Sequence, residues 1–192
     1  IYKHSPCQTS FGMNMLALVS GKPVLLNLKD FLVNFLNFRE DIVIRRTNFD
    51  LKKAKIKSDM LLGLAIAVSN LDHVIEMIKT SKDPKEAKER LIGKGWPKDK
   101  IIDFLELIDS NDTEKNQYNL SEDQAKAILE LKLHKLTGLE REKIFSDLKE
   151  LKLQIKELLS ILASKAKRVG IIKEELQEVS NLFGDKRRTE IC

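Results

Sequence analysis

Three histidines, His4, His73 and His134, and two tyrosines, Tyr2 and Tyr118, are the residues here best suited to acid–base or nucleophilic chemistry. A histidine becomes a catalyst or a metal ligand when a nearby acid, cysteine or second histidine orients it. These three are scattered, with no acidic or cysteine cluster at ligand spacing, so no histidine-based site is expected in this chain. A tyrosine nucleophile needs an activating neighbour. Neither tyrosine has an arginine or an acidic metal cluster beside it, and Tyr118, just before a capped helix, is expected to pack as a staple. The phosphate-cradling pattern GxxxxGK[ST] is absent, as is a GxGxxG after a strand. The paired charges on the helical segments, such as Lys149, Glu150 and Lys152, read as a solvated face.

Cationic clusters offer a different chemistry, that of phosphate contact. Arg45, Arg46, Lys186, Arg187 and Arg188 are the DNA-proximal candidates, although ordinary surface charge explains clusters this short equally well. The whole chain of 192 residues carries 34 Lys and Arg against 29 Asp and Glu, a net +5, with 33% of residues charged and only 6% aromatic. Such a composition suits long solvated helices better than a β-sandwich. No apolar run reaches the roughly 18–20 residues that cross a bilayer. The start Ile1-Tyr2-Lys3-His4 is neither a signal peptide nor an initiating methionine, so a piece of a longer protein is expected. Cys7 and Cys192 cannot build a disulfide framework or a zinc site by themselves, which fits a reducing, cytoplasmic setting.

The elements that must position these residues follow from periodicity. Gln8 to Val19, the turn cluster Ser20-Gly21-Lys22-Pro23 and Val24 to Leu26 predict a β-hairpin whose sheet needs further strands. Phe31, Phe35, Phe38, Ile42, Phe49 and Ile56 then lie on one heptad seam, with Arg45 and Lys52 at two intervening positions. After a register shift near Ser58-Asp59 the seam resumes as Leu61, Leu64, Val68, Leu71, Ile75 and Ile78. With no proline between Leu28 and Lys79, a helix of about 50 residues, about 75 Å at 1.5 Å per residue, is predicted.

Asp83-Pro84-Lys85-Glu86 is a capping box opening a short helix that Gly93 to Pro97 ends, with Trp96 as a core anchor. A second short helix carries Ile101, Phe104, Leu105 and Ile108, and Asp109 to Asn119 reads as a loop. Ser121-Glu-Asp-Gln124 caps a helix running to about Leu136, and Thr137-Gly138-Leu139-Glu140 opens the last long element. There Ile144, Leu148, Leu151, Ile155, Leu158 and Leu162 repeat at heptad spacing and continue as Ala166, Val169, Ile172, Leu176, Val179 and Phe183. A stammer containing Gly170 predicts a distortion, and Gly184 a stop. Two long helices with an insert of about 55 residues between them most simply fold back on each other.

The segment from Leu120 to Leu136 has apolar residues on more than one helix face. So small an insert has little volume to cover both sides, and one face is expected to meet a second copy. Ala125, Ile128, Leu129, Leu131, Leu133 and Leu136 are the dimer-interface candidates.

Several blocks resemble the A subunits of DNA gyrase, a bacterial type IIA topoisomerase family: Ile1 to His4, Gln8 to Val19, Arg45-Arg46-Thr47 and Gly63 to Ala67. Leu120 to Leu129, Leu136 to Glu140 and Phe183 to Ile191 belong with them, so the resemblance spans essentially the whole chain. It implies the C-terminal part of the breakage-reunion region. The fold would be mainly α, a long antiparallel two-helix coiled coil with a small helical dimerisation domain at its tip and a short N-terminal β-hairpin from an incomplete tower domain. Residues 1–27 would be the partial tower, 28–80 and 139–184 the arm helices, 81–138 the dimerisation or C-gate domain, and 185–192 a return segment. The resemblance further implies that the catalytic tyrosine and its arginine lie upstream, while ATP and Mg2+ are used through the B subunit. Implied partners are a second copy in a homodimer, the gyrase B subunit of the heterotetramer and double-stranded DNA, in an enzyme that introduces negative supercoils. A topoisomerase IV A-subunit fragment and a purely structural coiled-coil spacer stay open as alternatives at this stage.

Overall fold

The computed structural model describes residues 3–97, 117–131 and 138–189. In chain order the elements are β1 (Leu16–Val19), β2 (Lys22–Leu25), α1 (Leu28–Ser69), α2 (Leu71–Thr80), α3 (Pro84–Gly93), β3 (Trp96–Pro97), β4 (Gln117–Tyr118), α4 (Glu122–Leu129), α5 (Gly138–Ala163) and α6 (Lys165–Phe183). The mainly α class is as expected. The helix expected around Phe104 lies outside the described residues. Two compact units divide the chain: Ile1–Arg45 with Arg168–Cys192, and Arg46–Lys167.

In the first unit β1 and β2 pair antiparallel, from Leu16 opposite Leu25 to Val19 opposite Lys22. The hairpin is tighter than expected, because Lys22 and Pro23 belong to β2 and the turn is only Ser20 and Gly21. Their φ angles of 51° and 80° are both left-handed, which matches the twist of a two-residue hairpin turn. Proline is tolerated in β2 because a two-stranded sheet consists of edges. Asn27 opens α1, its side-chain oxygen accepting from the Asp30 N–H at 2.8 Å. Two ion pairs join α1 to α6 inside this unit, Arg39 with Glu175 at 2.5 Å and Arg168 Nε with Glu40 at 3.0 Å. Val43 and Ile172 are buried here. The Gly184 N–H donates to the Ser180 carbonyl at 2.8 Å, and α6 stops one residue before it, as expected.

The buried stripe of α1 is not the predicted aromatic seam. Phe31, Phe35 and Phe38 are all exposed, Phe49 is 68% exposed and Ile56 is 55% exposed. The residues inside are Val43, Thr47, Leu51, Ala54, Ser58, Leu62 and Ile66, at spacings of three and four. Small side chains in that stripe let a partner helix approach closely, so large apolar residues alone are a misleading guide to the inward face. Replacing Ser58 by Leu should therefore overpack the core and cost about 1–3 kcal/mol. Phe49→Ser should stay within about 0.5 kcal/mol of the parent, as exposed substitutions usually do. Urea unfolding followed by circular dichroism checks both.

In the second unit, Leu51 and Ala54 of α1 share a cluster with Leu151 and Ile155 of α5, while Leu62, Ala65 and Ile66 share one with Ile144 and Leu148. Advancing along α1 means retreating along α5, so the two helices are antiparallel, and the predicted α5 seam is the buried one. The predicted uninterrupted helix to residue 80 is corrected: α1 ends at Ser69 and the chain turns by 88° into α2. Asn70 makes the break, its backbone and side-chain N–H groups both donating to the Ile66 carbonyl, at 3.1 and 2.9 Å. The register shift at Ser58-Asp59, by contrast, leaves α1 unbroken. The second arm helix is also interrupted, at Ser164 rather than Gly170, because the Ser164 hydroxyl accepts from the Lys167 N–H at 3.4 Å and starts α6.

Trp96 anchors the small elements as expected. It is buried, and its Nε1–H donates to the Leu91 carbonyl at 3.0 Å. Trp96 and Pro97 pair antiparallel with Tyr118 and Gln117, so the end of the expected loop is a strand. The box at Asp83 is only half formed: Asp83 makes no side-chain cap, while Glu86 accepts from the Lys82 N–H at 2.8 Å.

Candidate functional site

α4 carries the feature most suited to a specific task. Ser121 and Gln124 form the predicted capping box in full: the Ser121 hydroxyl accepts from the Gln124 N–H at 3.3 Å, and Gln124 Oε1 accepts from the Ser121 N–H at 2.9 Å. The same Gln124 amide does more than cap. It is fully buried, and Nε2 donates to the Asp59 carbonyl and carboxylate, each at 2.8 Å. The Tyr118 hydroxyl sits against this amide, 2.9 Å from Nε2. Tyr118 is thus part of a polar hub, not simply the expected staple. Gly63 makes room for it, since a Cβ there would come within 2.8 Å of the Gln124 Cβ and Cγ. A buried polar group with directed partners has one acceptable orientation, so the hub fixes the rotation of α4 about its axis against α1.

That rotation sorts the interface candidates. Ala125 and Ile128 face inward and belong to the chain's own core with Leu62, Leu91 and Leu148. They are therefore not available to a second copy, a correction to the expected interface. Leu129 and Leu131 are half-buried, and Leu133 and Leu136 lie outside the described residues, as does the predicted end of this helix. The described helix stops at Leu129. Asp123, Lys126 and Glu130 point to solvent, with Ala127 half-buried between them.

The cationic candidates do not form one cluster. Arg45 is exposed in the first unit, on the wall of a cleft that Phe31, Phe35, Phe38 and the hairpin turn also line. Arg46, also exposed, begins the second unit. Lys186, Arg187 and Arg188 are exposed beyond α6, and the Arg187 Nε–H is spent on the Thr189 carbonyl at 2.9 Å. Among the described residues no group of three or more His, Cys, Asp or Glu side chains is placed to hold a metal ion.

Two carboxylates around α3 and α4 titrate low. The Lys82 N–H bond, helped by Arg90, holds Glu86 below its ordinary value, and the Lys88 ammonium at 2.8 Å does the same for Glu122, tying α3 to α4. A carboxyl whose folded value is depressed contributes stability that is whole above its unfolded value and is lost as the pH falls through the folded one. Melting temperature should therefore drop as the pH is lowered from about 5 to 3, and Glu122→Gln should remove part of that drop. Equal pH dependence in parent and variant would show that the tie contributes nothing.

The arrangement is that of a helical arm segment bearing a small latched helix, and comparison with known proteins identifies its class. Residues 1–177 match the family model that describes the A subunit of DNA gyrase/topoisomerase IV, and the chain belongs to that family. It is 44% identical over 202 residues to the DNA gyrase A subunit of Pseudomonas aeruginosa, matching 100% of this chain and 22% of that protein. Similar matches are the DNA gyrase A subunits of Granulibacter bethesdensis, 42% identical over 194 residues, and of Clostridium acetobutylicum, 44% identical over 191 residues, each covering all of this chain. The chain spans about a fifth of the length of these relatives. Among the described residues no single helix is long and apolar enough to cross a membrane.

Proposed function

We propose that this chain is the arm and C-gate part of a DNA gyrase A subunit. The match to gyrase A subunits along its whole length is the observation that carries the reading. The intact enzyme would cut one duplex, pass a second through the break at the expense of ATP, and reseal the first, introducing negative supercoils. The breakage tyrosine would lie in another part of the same polypeptide, and ATP and Mg2+ would be handled through the B subunit, so we assign no residue here to them. The antiparallel helices serve as the arm, and the latched α4 region closes the gate against a second copy through Leu129, Leu131, Leu133 and Leu136. A gate of this kind needs an interface apolar enough to close at rest and small enough to open for the passing duplex. Arg45, Arg46, Lys186, Arg187 and Arg188 stay as candidates for DNA contact in the intact enzyme.

Mixing the chain with the gyrase B subunit, ATP, Mg2+ and relaxed plasmid should give neither supercoiling nor cleavage. Supercoiling by that mixture would overturn the assignment of the chemistry to other segments.

A further inference from the structure

A groove of about 600 Å³ runs between α1 and α4, with Ile56, Met60 and Ala127 as its apolar lining and Asp123, Lys126 and Glu130 along its rim. Ile56 is 55% and Met60 41% exposed, on a helix whose small seam residues are buried beneath them. The groove lies on the side of α4 that the Gln124 hub turns outward, and helical spacing places Leu131 four residues beyond Ala127 on the same stripe. A surface that meets its own copy across a two-fold axis must be self-complementary, with donors and acceptors of both signs on one patch. This rim has that property: a lysine stands between two acids on a single helix face.

We propose that the groove is the α1 side of the self-association surface, so that a second copy of the chain covers Ile56 and Met60 and sets its Lys126 against Asp123 and Glu130 of the first. The proposal rests on the gate reading and extends the interface from α4 to α1. Gln124 acts here as a positioning residue, since rotating α4 would carry the rim away from Ile56 and Met60.

Charge reversal tests it with surface changes that leave the core intact. Lys126→Glu, and separately Asp123→Lys with Glu130→Lys, should each raise the homodimer dissociation constant at least 10-fold at low salt. Mixed, the two variants should form a heterodimer in native mass spectrometry about as readily as the parent forms its homodimer. Ile56→Glu with Met60→Glu, checked for a parent-like circular dichroism spectrum, should weaken the homodimer by a similar factor. If these variants dimerise like the parent while Leu131→Glu does not, the groove is outside the interface and the proposal fails with the gate reading intact. If the parent itself is monomeric, both fail.

Discussion

Gln124→Glu should be the most damaging single-atom-scale change in the chain, costing about 3–5 kcal/mol at neutral pH. The substitution keeps the size of the side chain and its acceptor toward Ser121. It deletes the two donors that serve Asp59, and brings two carboxylates to the 2.8 Å at which the amide now sits. Two like charges at that separation inside a folded chain cannot both stay ionised, so one carboxyl takes up a proton as the pH falls. The variant should therefore recover stability between about pH 7 and 5, where the parent changes little. Gln124→Leu, which removes the cap and the hub without adding a charge, should cost about 1–3 kcal/mol and show no such recovery. Urea titrations at the two pH values separate these outcomes, and a Glu variant as stable as the parent at pH 7 would show that the hub is not closed in solution.

Trp96→Ala should cost about 3–5 kcal/mol, the range for emptying a large buried aromatic site. Trp96 is buried within the cluster that holds Leu91, Leu120 and Ile128, and its Nε1–H satisfies the Leu91 carbonyl. Trp96→Phe retains most of the packing but strands that carbonyl, and about 1–2 kcal/mol should be lost. Because this is the only tryptophan, the comparison needs circular dichroism rather than fluorescence. A midpoint shift in Trp96→Ala no larger than in Trp96→Phe would mean that the bond, and not the volume, is what matters.

Local chemistry is legible in the sequence wherever it acts over a few residues. The Ser121 and Gln124 box, the α5 seam from Ile144 to Ile155, the hairpin and the stop before Gly184 all depend on neighbours in the chain. The inward face of α1 is not legible in this way, because Phe31, Phe35 and Phe49 outweigh Thr47, Ala54 and Ser58 in any count of apolar bulk, while packing selects the small residues. Asn70 and Ser164 escape as break points because their signals are hydrogen bonds to nearby carbonyls and N–H groups, not prolines or glycines. The Gln124 hub is half legible. Its cap lies within four residues, whereas Asp59 and Gly63 are about 60 or more residues away and nothing local pairs them with Gln124. For the same reason Ala125 and Ile128 look free for a partner, although their own chain already covers them.

On the gate proposal, the outward side of the latched helix region holds two copies together. Sedimentation velocity of the chain over a wide concentration range tests this directly. The expected result is a reversible shift from monomer to dimer that Leu131→Glu moves to at least tenfold higher concentration. A parent that sediments as a monomer throughout, or a dimer indifferent to Leu131→Glu and to the groove substitutions alike, would contradict it.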